Sequence, residues 1–476
     1  MNWILLISLI LLLAGVFVLK KLWLGALFAI ALLLVYKISQ QIGVEAISIP
    51  LVSGSLISFE LILLLFGAYL FYAILSSNQH FENFTIRTAQ FSSRLSVVIL
   101  LCVFMGAFLE GIAGFGIPAM LIAPLLLTLG FKPLSAIVLP LSANTLAVTY
   151  GALGTPFKIG FGIHSPDITT QLTTLLVSLP ILVLPFIVTF LYGKTEQVEV
   201  KWGDEWKMLL GAGCCFFVPF ALISLVSIEY PSVVGGLVGL FLFVAFFIPK
   251  KESPSPLFWW NTFYPYLLFV LLLIASKLLL AEYTWQLNAD SKTISMYQPG
   301  LVFIISGVVY LIIKYKTQFA IQFVEQSKVT FFKIIQSVAT VILLVCFAQL
   351  IVEDVSILAQ TYFSDFSDTF KLIITPVMGI SGSFILGTAT MSNLLFGEGV
   401  KASVDIGTHL ALFLSLLNVG SCIGNAISFQ NIIMVKSVIN DPVSETSVLR
   451  FTLLAVGIYL ILITCSAFLI LTQIPQ

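Results

Sequence analysis

Apolar runs of about 20 residues recur from Leu5 to Leu471, and no other feature of the sequence limits its fold as strongly. A bilayer core about 30 Å thick takes roughly 17–25 residues of helix to cross, with every backbone polar group bonded internally. Full spans are read near 3–19, 22–36, 56–75, 133–150, 171–192, 208–227, 232–248, 263–281, 299–313, 334–352, 408–439 and 448–471. The run Ile4–Leu19 has no positive charge before it and Lys20-Lys21 after it, which reads as an uncleaved first span rather than a secretory signal. Only 9% of the 476 residues are charged, too few to cover a soluble globule of this length, where about 25% is usual. The expected fold class is an all-α polytopic membrane protein with about 12 full spans. Disorder, a collagenous repeat and a disulfide scaffold are excluded.

Positive and negative charges balance at 22 each, so nothing points to nucleic acid. The six cysteines sit in apolar context, no pair has metal-ligand spacing, and His80, His164 and His409 are far apart in sequence. Neither a metal nor a cofactor is expected.

Two further apolar stretches, 95–131 and 371–407, are interrupted at their middles by small residues. The first contains Gly106 through Pro118 with Gly111, Gly114 and Gly116, and the second contains Gly382, Gly387 and Thr388 through Asn393. Gly weakens a helix and Pro removes a donor, so each is read as a helical hairpin that enters and leaves on one side. Alternating sides at each full span places sixteen of the 22 Lys and Arg on the face of Lys21, which is therefore taken as cytoplasmic. The two hairpins then open to opposite faces. The acidic residues Glu353, Asp354, Asp365 and Asp368 fall in an outside loop, as do Lys158 and Asp167.

The hairpins match weakly in sequence. An offset of 276 pairs Gly106 with Gly382, Phe108 with Phe384, Gly111 with Gly387 and Ala113 with Ala389, and the spacing Asn144–Gly151 repeats as Asn418–Asn425. This organisation reads as N-terminal spans 1–94, a first repeat 95–230 with broken helix 133–150, connecting spans 231–370, and a second repeat 371–476 with broken helix 408–439. Inverted repeats with discontinuous helices at the midplane are a transporter arrangement.

Backbone freed at a helix break lines a cavity or finds partners, and half-helix N-termini favour anions. Gly114, Gly116, Ser142, Asn144, Thr145, Thr388, Thr390, Ser392, Asn393, Asn418, Asn425 and Gln430 are the candidate substrate-binding residues. Neutral donors with few fixed cations suit a small, singly charged organic anion that must be released again. The same residue types also glue membrane helices together. Glu110 lies deep in an apolar run without a neighbouring Lys or Arg. Burying its charged form is costly, which makes it the candidate proton-coupling residue, with a structural cap at the hairpin tip as the other reading. Glu60, placed near a helix start, and His409 are weaker candidates.

Leu109-Glu-Gly-Ile-Ala-Gly-Phe-Gly-Ile-Pro118, Leu129-Gly-Phe-Lys-Pro133, Ala143-Asn-Thr145 and Gly151-Ala-Leu-Gly154 together resemble the first signature of the bacterial lactate permease family. Ser392-Asn-Leu-Leu-Phe-Gly397 and Ile427-Ser-Phe-Gln-Asn-Ile432 resemble its second. The likeness covers about 95–165 and 375–455 and departs from the family pattern at Ile117, Thr388-Ala-Thr390 and Phe429. It implies proton-coupled import of lactate or a related 2-hydroxymonocarboxylate across the bacterial inner membrane. The alternatives are a carrier of another small organic anion, Na⁺-coupled, and a cation/proton antiporter, which would need a cluster of carboxylates. An enzyme is disfavoured by the absence of a His-Glu-x-x-His or Gly-x-Ser-x-Gly pattern, and an ATP-driven pump by the absence of a phosphate-binding Gly-x-x-x-x-Gly-Lys loop.

Overall fold

The structure is a computed structural model describing residues 2–19, 21–77, 93–114, 116–251, 255–285, 294–363, 365–404, 407–439 and 443–473. Lys20, His80 and Phe115 of the sequence reading lie outside the described residues, as do Arg87 and Lys292, which it counted among the 22 Lys and Arg. The helices are α1 (Asn2–Phe17), α2 (Leu22–Ser39), α3 (Glu45–Ser76), α4 (Arg94–Ile112), α5 (Ile117–Thr128), α6 (Pro133–Ala143), α7 (Gly151–Lys158), α8 (Ile168–Glu196), α9 (Trp202–Ser224), α10 (Pro231–Phe247), α11 (Pro256–Leu280), α12 (Pro299–Tyr315), α13 (Phe319–Tyr362), α14 (Asp368–Leu386), α15 (Ala389–Ser403), α16 (Thr408–Gly424), α17 (Phe429–Ile439) and α18 (Glu445–Leu471). The two-residue strands Thr284–Trp285 and Ile294–Ser295 pair antiparallel.

The protein is a polytopic helical membrane protein. Among the described residues ten helices are long and apolar enough to cross, or eleven if α6 and the segment Ala147–Lys158, bent by 51°, form one span. About 12 were expected, and the all-α polytopic class holds. Pro231–Phe247, with 17 residues, is at the lower limit of a span, and the expected spans 299–313 and 334–352 fall in one apolar stretch, Pro299–Tyr362, divided into α12 and α13. Conversely α4 and α14, the first arms of the expected hairpins, each have 19 residues and reach about 28 Å at 1.5 Å per residue. The second arms are shorter. α5 has 12 residues and α15 has 15, about 18 and 22 Å, which is less than a bilayer core.

The chain divides into two units, 1–88 with 254–351 and 89–253 with 352–476. The expected connecting segment 231–370 is therefore shared out, α10 going with the second unit and α12 with the first. Within the first unit α1 meets α2 at Gly15 and Gly25, where a Cβ on Gly15 would stand 2.6 Å from the Gly25 Cα. Helices without a hydrophobic drive between them approach through such small residues. α3 is longer than the expected span 56–75, so Glu60 is mid-helix rather than near a helix start. Glu353 and Asp354 continue α13 and are not in a loop.

The second unit has its interruptions where local chemistry dictates them. α4 is capped by Ser93 accepting from the Ser96 N–H, and its middle, Ile99–Met105, is π-helical. Gly114 and Gly116 take φ of +62° and +76°, which L side chains avoid, and Pro118 then restarts the chain as α5. α5 packs back on α4 and on its π-helical stretch. Gly387, at φ +85°, ends α14, and Thr388 caps α15 by accepting from the Met391 N–H. Ser392 Oγ donates to the Gly379 carbonyl at 2.9 Å, so α15 also folds back on its predecessor. α16 ends at Gly424, a 3₁₀ turn follows over Asn425–Ile427, and α17 resumes at Phe429. The residue pairing at offset 276 does not hold in detail: Gly111 is inside α4, whereas Gly387 stands at a helix end.

Candidate functional site

The breaks of the second unit converge on Glu110. α4 carries its side chain into the interior, where Glu110 is only 2% exposed. The chain after α6 turns through Asn144, and the Asn144 side-chain amide donates to Glu110 Oε2 at 2.5 Å. The other carboxyl oxygen faces backbone: a Cβ added to Gly151 would stand 2.8 Å from Oε1. A glycine is needed there because nothing larger fits between the carboxyl and the chain.

From Gly151 the chain does not run on as a regular helix. Ala152, Leu153 and Gly154 take φ of +45°, +56° and +77° in succession. Only Gly does this freely, so Ala152 and Leu153 hold strain of roughly 1–2 kcal/mol each. Strain of this kind persists only where surrounding structure imposes it. Here Gly114 supplies one constraint, since a Cβ on it would lie 2.6 Å from the Ala152 Cβ.

A cavity of about 20 Å³ opens between these elements. Its walls are Glu110, Val148, Gly151, Ala152, Thr155 and Pro156 from one half of the chain, and Thr388, Ala389, Thr390 and Asn425 from the other. That volume suits about one water, which needs about 10–15 Å³, and not a carboxylate of three carbons. The halves touch here: Thr155 Oγ1 and Thr390 Oγ1 are 3.2 Å apart, and Asn393 donates to the Pro156 carbonyl at 3.2 Å. Glu110 is the one ionisable residue among the described residues of the wall.

The sequence candidates sort by distance from this cavity. Glu110, Thr388, Thr390 and Asn425 line it, and Asn144 and Gly114 lie one contact behind. Asn393 donates to Asn418 Oδ1 at 2.8 Å, joining α15 to α16. Gln430 packs against Gly387, and Gly116 stands where a Cβ would meet Asn431 Oδ1 at 2.8 Å. Asn431 in turn donates to Asn425 Oδ1 at 2.7 Å. Ser142, Thr145 and Ser392 are not in the wall. Thr145 Oγ1 donates to the Ser142 carbonyl, and Ser392 Oγ accepts from Ser421 Oγ at 2.8 Å while fastening α15 to α14. The wall residues outside the candidate list are Thr155, a polar residue of the break region, and Val148, Gly151, Ala152, Pro156 and Ala389, which were missed. Of these, only Gly151 carried a usable signal, since it opens a Gly-x-x-Gly block.

Buried acceptors without a donor accompany the cavity. Among the described residues, Asn144 Oδ1, Asn393 Oδ1, Gln430 Oε1 and the Ser142 hydroxyl have no hydrogen-bond partner. An unsatisfied buried group costs about 1–3 kcal/mol and calls for an explanation such as a guest with a hydroxyl to donate. Two expected outside-loop residues are engaged elsewhere. Lys158 ends α7 and pairs with Glu229 at 2.9 Å, and Asp167 caps α8 in a reciprocal box with Thr170. His409 Nδ1 lies 3.5 Å from Asp368 Oδ2, and His409 is not in the cavity wall.

The Thr155–Thr390 contact allows a sparing test. Thr390→Val and Thr155→Val are nearly isosteric and remove only a hydroxyl. Each is expected to raise the KM of transport about three- to tenfold, the equivalent of one hydrogen bond, with the detergent melting temperature unchanged within about 2 °C. An unaltered KM in both would remove the pair from the site.

Comparison with known proteins was made against this geometry. The family described as L-lactate permease matches residues 3–255 and again 252–474. A relative in Haemophilus influenzae is 28% identical over 414 residues, covering 74% of this chain and 75% of its own. The L-lactate permease of Bacillus subtilis is 26% identical over 464 residues, covering 80% and 81%. The solved structure of Neisseria gonorrhoeae MtrF, described as illuminating a class of antimetabolite efflux pumps, aligns over 85% of this chain and 80% of that one. Its TM-score is 0.42 at 12% identity, too loose a likeness to carry a conclusion.

Proposed function

The chain belongs to the L-lactate permease family, and from that premise we propose that it imports lactate or a related 2-hydroxymonocarboxylate together with a proton. It is a multi-pass membrane transporter rather than an enzyme. The substrate-binding residues are those at the junction of the breaks, Asn144, Thr388, Thr390, Asn425 and their supports Asn393, Asn418 and Gln430.

One observation carries the proton. The only ionisable group in the cavity wall, among the described residues, is an acid. An anion about 4 Å from an ionised Glu110 would be repelled by about 4 kcal/mol at an effective dielectric constant of 20, a factor near 10³ in affinity. With no cation in the wall to offset that, the substrate anion enters when Glu110 holds a proton, and the two are carried together. The charges cancel, which removes the opposition of about 2.3 kcal/mol per 100 mV that a lone anion meets on moving into a negative interior. The buried acceptors Asn144 Oδ1 and Asn393 Oδ1, behind the wall, become partners for a 2-hydroxyl once the site opens.

The cavity is closed to a substrate of this size, so entry requires the tips around Gly114 and Gly387 to move away from α7 and α17. The experiment is uptake of labelled lactate into proteoliposomes with pH and Na⁺ gradients imposed separately. Accumulation should follow the pH gradient and ignore Na⁺. Accumulation driven by Na⁺ alone would overturn the proton reading, and no uptake of lactate or glycolate would overturn the substrate class.

A further inference from the structure

The ion pair between Lys158 and Glu229 is used by none of the chemistry above, yet it is built into the support of the cavity wall. Its atoms are 2.9 Å apart, and the two side chains are only 16% and 3% exposed. Lys158 closes the last turn of α7, where a cation suits the helix end. Glu229 belongs to the short segment between α9 and α10. The neighbouring carbonyl, that of Ile228, presses on Gly154: a Cβ there would stand 2.5 Å from it. Ser232, on the same approach to α10, donates to the Ala147 carbonyl at 2.6 Å. The segment 228–232 therefore holds the chain on both sides of the left-handed run Ala152–Gly154, and Gly151, directly before that run, is what stands against Glu110.

We infer that Lys158 and Glu229 are positioning residues: their ion pair holds the strained turn Ala152–Gly154 in the shape that sets Gly151 beside the Glu110 carboxyl. The inference rests on the reading of this cavity as the transport site. The turn is disfavoured for two of its three residues, so it needs an external hold. A buried ion pair is a poor source of net stability but a strong geometric constraint when both partners are present. Without the pair, α7 relaxes toward right-handed backbone and withdraws the wall.

Variants of the pair and of the turn test this in proteoliposomes and by hydrogen–deuterium exchange of the purified protein. Lys158→Met and Glu229→Gln should each raise the KM for lactate at least fivefold and speed amide exchange over 151–158. Lys158→Arg should stay within twofold of the parent. The reversed pair, Lys158→Glu with Glu229→Lys, should recover more than half of the loss in both readouts. Adding Ala152→Gly to Lys158→Met should also recover part of the KM, because glycine adopts the turn without being held. Exchange over 151–158 that is unchanged in Lys158→Met, or a reversed pair no better than its single members, would overturn the inference. If the singles fail to fold, the reversed pair and Lys158→Arg decide it by the same exchange measurement. Failure of the parent protein to transport any hydroxy acid would instead overturn the assigned function, while the exchange result would stand.

Discussion

Replacing Glu110 with Gln will uncouple transport from the proton gradient while leaving anion exchange intact. The amide is the nearest neutral equivalent of the protonated carboxyl, and its oxygen can still accept from the Asn144 amide that bonds Glu110 Oε2. A one-to-one proton symporter concentrates a monovalent anion about tenfold per pH unit, each unit being worth about 1.4 kcal/mol. In Glu110→Gln that ratio is expected to fall to about one at any imposed gradient, a loss of about tenfold per unit. Exchange of internal against external lactate should continue with a KM equal to or below the parent's, because the repulsion of about 4 kcal/mol is permanently absent. Thermal stability should hold or rise, since a neutral amide avoids burying a charge in an apolar site. Counterflow and pH-driven accumulation, measured on the same vesicles, separate the two effects. If the variant still accumulates lactate in response to pH, Glu110 is a cap for the hairpin tip, and the coupling group lies elsewhere.

The parts of this arrangement that depend on local pattern were readable in the sequence. Long apolar runs fixed most helices, and Gly, Pro and Thr at 114–118 and 387–388 marked the two places where helices end inside an apolar stretch. Glu110 stood out because an acid in such a run is expensive whatever surrounds it. The breaks near Asn144 and Asn425 were visible from their small and polar residues.

What escaped was set by tertiary contact. Ala152 and Leu153 are ordinary L residues, and no propensity rule sends them left-handed; Gly114 and Ile228 impose it. The π-helical stretch Ile99–Met105 has no polar or small-residue signature at all. Lys158 looked like a loop cation because its partner lies 71 positions away in sequence. The number of crossings is left open for a different reason, since hydropathy does not fix where a helix such as the 17-residue Pro231–Phe247 begins and ends. The shortfall is therefore concentrated at the cavity wall, where the fold departs most from what each residue prefers alone.

Gly114→Ala should cut transport sharply, and Ala152→Gly should partly undo it. At φ +62° an alanine carries a backbone cost of about 1–2 kcal/mol, and its Cβ would stand 2.6 Å from the Ala152 Cβ where about 3.5–4.0 Å is comfortable. Relieving that contact takes a shift of about 1 Å in α7 or in the hairpin tip, and either moves Gly151 relative to Glu110. Displacements of that size at a tuned site cost up to about 100-fold, so transport is expected to fall about 10- to 100-fold. Ala152→Gly removes the methyl that is struck and, at φ +45°, relieves the strain of its own position. The pair should then recover at least about fivefold over Gly114→Ala, a coupling of about 1 kcal/mol in the double-mutant cycle, leaving only the conformational penalty at 114. Gly162→Ala is the control: it shares a positive φ, +75°, but its Cβ would meet nothing within 4 Å. It should lower the melting temperature by a few degrees, about 1 kcal/mol or so, and leave the KM alone. Transport by Gly114→Ala at the parent rate, or a pair no better than the single, would show that the tip and the left-handed turn do not set the site through each other.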